Sequence, residues 1–94
     1  MIGYDTPVRL LVNQIDPDRP TAPSRRLLAV REPQRHALER LRAFARVRGF
    51  DRLAPDVDRV LDGDPPPHGY ARFDSSNHAI RVIVLWPHYD GSLP

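Results

Sequence analysis

The chain has no cysteine, and all 14 of its basic side chains are arginine, so lysine is missing as well. Without cysteine, disulfide scaffolds, thiol catalysis and the common structural zinc sites are excluded. Long apolar runs are also missing. The longest, Val82 to Trp86, has five residues, far short of the roughly 18 that a membrane span needs. The opening residues, Met1-Ile-Gly-Tyr-Asp5, offer neither the basic stretch nor the apolar stretch of a secretion signal. A cytoplasmic protein without a membrane partner is therefore expected. No segment repeats at the period of about 20 to 50 residues that marks solenoids and propellers.

What remains is 94 residues with a formal charge of +2. A chain of this length buries about two-thirds of its surface on folding, enough for one modest core. The isoelectric point of about 9.7 overstates its basicity. With neither Lys nor Cys, little titrates between neutrality and high pH, so a small positive charge persists there. The small total hides a strong separation. Residues 25–52 hold nine Arg against Glu32, Glu39 and Asp51, a net of +6, and the remainder carries −4.

Local patterning predicts an α+β domain over residues 1–94, with elements in ββααββ order and one four-stranded, mainly antiparallel sheet. Residues 8–12 and 26–30 are short apolar runs bounded by Pro or polar residues, which fits buried strands. A helical reading of residues 25–31, capped by Ser24, competes with the second strand; the strand is preferred. Residues 14–24 between them form a loop stiffened by Pro17, Pro20 and Pro23. Pro33 to Arg48 reads as the main helix. Ala37, Leu38, Leu41, Phe44 and Ala45 make its apolar stripe, and Gly49 is its expected left-handed cap with Phe50 folding back. A second helix is expected over 55–61, a Pro-rich spacer over 64–68 and a polar tail over 87–94.

The C-terminal hairpin is read with a four-residue turn, Asp74 to Asn77, which pairs Phe73 with His78 and Ala71 with Ile80. Alternation then puts Ala71, Phe73, Ile80, Val82, Val84 and Trp86 on the core face. Tyr70, Arg72, Asp74, Arg81, Ile83 and Leu85 fall on the other. That register sets Tyr70 opposite Arg81 and leaves Ile83 and Leu85 as a wet apolar patch, hence a candidate surface for a protein partner or for a homodimer.

Two groups of residues are candidates for binding. Arg35, Arg40, Arg42, Arg46 and Arg48 line the main helix away from its apolar stripe, about a turn apart, and suit phosphates or an acidic protein surface. A solvated helix face is the plain alternative. Tyr70, Arg72 and Arg81 form a second cluster, similar in kind to the Arg, Tyr and His sets that ribonuclease toxins carry on a small sheet. That likeness implies a ribonuclease-like enzyme as the rival function. The acids between Asp51 and Asp64 lack the order of a calcium loop. His68, His78 and His88 do not converge in this register, so neither metal nor cofactor is expected. The reading is a small, non-enzymatic interaction protein of the bacterial or phage accessory type. Its partner would be an acidic protein or a nucleic acid, bound through the Arg-lined helix.

Overall fold

A computed structural model of the protein describes residues 5–93. Residues 1–4, read above for a leader, and Pro94 at the end of the tail lie outside the described residues. Strands β1 (Pro7–Gln14) and β2 (Arg25–Pro33) come first, followed by helix α1 (Gln34–Arg46). The short strand β3 (Phe50–Arg52), helix α2 (Val57–Leu61), β4 (Tyr70–Ser75) and β5 (Ile80–Leu85) complete the chain. All strand pairs are antiparallel, in one sheet of order β2-β1-β5-β4-β3. No described helix is long and apolar enough to cross a membrane.

The α+β class and the strand reading of residues 25–31 agree with expectation, but the sheet has five strands and the order is β-β-α-β-α-β-β. The extra strand is β3, whose Phe50, Asp51 and Arg52 pair with Ser75, Asp74 and Phe73 on β4. Three residues are too few for alternation to mark a strand in sequence. Gly49 does adopt a positive φ of 93°, but it turns the chain toward β3 rather than capping the helix. The helix has already ended at Arg46, with Val47 in extended conformation. Phe50 still meets α1, its ring 5.3 Å from that of Phe44. Helix α2 begins two residues later than expected because Asp56 is left-handed, with φ 64°.

Both helices cover one face of the sheet. Ala37, Leu38 and Leu41 of α1, with Val57 and Val60 of α2, pack on Val8, Leu10, Ala71, Phe73, Val82 and Val84. Trp86 closes one end of this core, and its indole N–H donates to Gln34 Oε1 at 2.9 Å, a buried bond to the first residue of α1. The β4–β5 register differs from expectation by four residues: Phe73 pairs with Val82 and Asp74 with Arg81. Ser75 Oγ accepts the backbone N–H groups of Ala79 and Ile80 and donates to Asn77 Oδ1, so the four-residue turn is 76–79, two residues further along than expected. A shift by an even number keeps every side chain on its face, so the core face is the expected one although the pairing differs.

The segment after β5 folds back on the domain. Asp90 N–H donates to His68 O, Leu93 N–H to Tyr89 Oη, and the Tyr89 ring meets Tyr70 edge-on at 6.1 Å. Gly69, with φ 76°, lets this segment approach: a Cβ there would lie 2.5 Å from Tyr89 N and Cα. Gly91, with φ 81°, has open space around it. Gly91→Ala should therefore cost only the left-handed penalty of about 1 kcal/mol. Gly69→Ala should cost at least twice that in urea unfolding, because it adds a backbone clash.

Candidate functional site

The sheet face away from the helices is built by the register in three rows. The first runs Arg26, Asn13, Arg81, Asp74, Asp51 across all five strands. The second is Ala29, Leu11, Ile83, Arg72, and the third Arg31, Arg9, Leu85, Tyr70. Five arginines thus stand on this face against two aspartates. Ala29 at the edge of the second row is exposed, but its centre is not wet: Leu11 and Ile83 are each only 7% exposed. The long side chains of the flanking arginine rows can lie over it, since guanidinium stems cover apolar surface while their heads stay in water. The expected wet patch at Ile83 and Leu85 is therefore corrected. Strand β5 lies between β1 and β4, and Leu85 is half-buried.

Asp74 anchors the first row. Arg72 and Arg81 each donate to it through Nε and Nη2, at 3.1 to 3.2 Å, and its side chain is 4% exposed. Burial pushes the Asp74 carboxyl up, but hydrogen bonds from Arg81 and Arg72 and their charges together outweigh it, leaving the pKa below its ordinary value. Arg26 Nε donates to Asn13 Oδ1 at 3.1 Å in the same row. Tyr70 does not face Arg81. It pairs with Leu85, is 8% exposed and meets Tyr89 edge-on, while Arg81 faces Asp74. The Tyr70, Arg72, Arg81 cluster is therefore not assembled as expected: two of its members grip a carboxylate and the third is buried.

The helix arginines divide. Arg35 lies 3.4 Å from Asp5, and Arg40 Nε lies 3.0 Å from Glu32 Oε1 and donates to Oε2 at 3.3 Å. Arg42 donates twice to Leu61 O, at 2.6 and 3.2 Å, satisfying a terminal carbonyl of α2. Of these five helix arginines, Arg46 and Arg48 are exposed with no partner among the described residues. Acids near α2 are similarly engaged, with Asp58 on Arg52, and Asp56 and Asp64 on Arg59.

Sequence reasoning missed the arginines of the first hairpin. Arg9, Arg25 and Arg31 are exposed and have no acidic partner among the described residues, and Arg26 bonds only an amide. Strand β1 carries no acid, and the single acid of β2, Glu32, is taken by Arg40. Beside these arginines Leu27 is 48% and Leu28 36% exposed, on a strand whose outer edge pairs with no described strand. The signal was present as Arg25-Arg26-Leu27-Leu28, but a run expected to be buried hid it.

The histidines are scattered. His68 Nδ1 lies 2.6 Å from Asp90 Oδ2, His88 Nε2 lies 2.6 Å from Pro66 O, and His78 sits in the β4–β5 turn with φ 60°. Hydrogen bonds from Ser92 and then His68 hold Asp90 down at about 2. Comparison with known proteins gives no match, whether to family models, to curated proteins or to solved structures.

Because its pKa is lowered in the fold, Asp74 contributes stability that is complete above the unfolded carboxyl range, about pH 4, and is lost as pH falls through the lower folded value. Asp74→Asn should cost about 3 kcal/mol at pH 7, since two half-buried guanidinium groups lose their charge partner. In urea unfolding, the gap between wild type and variant should narrow from pH 5 to pH 2. A constant gap would mean that the charge of Asp74 is not what matters.

Proposed function

We propose that the protein is a non-enzymatic interaction module that binds an acidic, extended protein segment along β2 and the neighbouring β1. One observation carries this reading: four arginines without an acid, Arg9, Arg25, Arg26 and Arg31, lie together on β1 and β2, where β2 also exposes Leu27 and Ala29 and, toward the helix side, Leu28. An added strand would gain main-chain hydrogen bonds from the free edge and seats for alternate side chains. Carboxylates on it would meet the guanidinium groups in charge-assisted, fork-shaped pairs.

Two other occupants fit less well. A second copy would bring four arginines of one hairpin against four of another, a repulsive pairing. Single-stranded nucleic acid is held largely by stacking on aromatic rings. None of the described aromatic side chains is exposed, since Phe73, Tyr70 and Trp86 are buried and Phe44, Phe50 and Tyr89 half-buried. The helix surface retains only Arg46 and Arg48 for a ligand, the other three arginines of the expected set being engaged within the fold.

The reading is tested by titrating a labelled peptide of alternating Leu and Glu, and single-stranded RNA of equal charge, at about 50 mM salt, where electrostatic binding is strong. The peptide should bind, more weakly as salt rises, and more tightly than the RNA. Leu28→Glu should weaken the peptide by about tenfold or more while changing stability little, as expected for an exposed site. Arg46→Ala with Arg48→Ala should leave peptide affinity nearly unchanged. Tighter RNA binding, or loss of binding in the Arg46/Arg48 variant alone, would move the ligand to another surface.

A further inference from the structure

On the open face, Arg9 and Arg31 stand directly opposite each other on adjacent strands. Like charges in that position disfavour strand pairing. Both are exposed and neither has an acidic partner among the described residues. Glu32 is next in the chain but alternates to the helix side, where it holds Arg40. Across β1, the residue opposite Arg9 is Leu85.

The two guanidinium groups also share their surroundings. Two shallow hollows, of about 310 Å³ and about 180 Å³, are each lined by both Arg9 and Arg31. The larger has Leu11 and Ala29 as its apolar wall, and the smaller has Leu85, Trp86 and prolines. The arginine pair is thus a cationic ridge between two apolar seats. Such a ridge suits a compact anion carried on a chain whose flanking groups occupy the hollows.

We infer that this ridge is a site for a phosphomonoester dianion on the bound segment, held between Arg9 and Arg31. The charge decides between anions. A phosphoryl group carries about −1.5 to −2 at neutral pH and matches two guanidinium groups, whereas one carboxylate leaves half of the pair unbalanced. Its three oxygens can also accept from both forks at once. The inference rests on the β1/β2 reading above and adds the chemistry of the group recognised there.

The test uses the full chain and three versions of the acidic Leu/Glu peptide, with Ser, Asp or phosphoserine at one central position, and free O-phosphoserine as a fourth ligand. The phosphoserine peptide should bind at least about tenfold tighter than its Asp twin. In Arg31→Gln and Arg9→Gln that preference should vanish while the melting temperature stays level or rises, because a like-charge pair has been relieved. A merely structural pair would instead lower the melting temperature. If free O-phosphoserine binds as tightly as the peptide, the site takes a small phosphomonoester; if much more weakly, it takes a modified protein. Either result supports the dianion site. Equal affinity for the phosphoserine and Asp peptides overturns it but leaves the acidic-segment reading intact. A fall in melting temperature with the preference unchanged also overturns it, and failure of every peptide to bind removes both readings.

Discussion

Two short helices lie on one face of a five-stranded sheet, and among the described residues no other layer covers the second. A sheet of this width with apolar residues on both faces needs cover on both. On the second face, the segment after β5 sets Tyr89 against Tyr70, and the stems of the sheet's own arginines can cover the apolar residues beside them. Rows of arginine flank Leu11 and Ile83, whose exposure falls to 7% without any helix above them. Asp74 makes part of this possible, because its bonds to Arg72 and Arg81 hold two of those side chains down. A face that would be a sticky liability becomes a basic surface with an apolar underlayer.

That arrangement accounts for where charge remains available. The acids of the C-terminal half neutralise arginines close to them: Asp74 on β4, and Asp56, Asp58 and Asp64 around α2. Glu32 and Asp5 engage Arg40 and Arg35 of α1. The first hairpin lies at the far side of the sheet from β3, away from the acids of β4 and α2, and its own Glu32 and Asp16 are engaged by Arg40 and Arg19. Its arginines stay unmatched because its two strands hold a single acid, Glu32, and because sheet order keeps the acids of β4 and α2 on the other side.

The two edges of the sheet differ in the same sense. Strand β3 is three residues long and has two exposed charged side chains, which is a common way to blunt an edge. Strand β2 is nine residues long, and its middle exposes leucine. A bulge opposite Val12 and Asn13, Arg25 and Arg26 at one end, and Pro33 at the other restrict what can pair with it. Indiscriminate self-pairing is opposed by charge, while an acidic strand meets no such barrier.

Element type was readable from the chain because it depends on neighbours a few residues apart. The stripe from Ala37 to Ala45 marked α1, and the alternation from Tyr70 to Trp86 marked two strands and their buried face. The features that differ from expectation depend on energies between distant segments. The β4–β5 register is selected by Asp74 meeting Arg81 and by Ser75 bonding across the turn. Strand β3 exists only because β4 offers an edge to Phe50–Arg52. The same holds for the candidate site. Composition determined that this protein is rich in arginine and short of acids between residues 25 and 52. Which arginines are spent inside the fold, and which stand free on β1 and β2, was decided by tertiary structure alone. An ion pair forms between whichever charges the sheet order brings within reach, and sequence distance carries no record of that order.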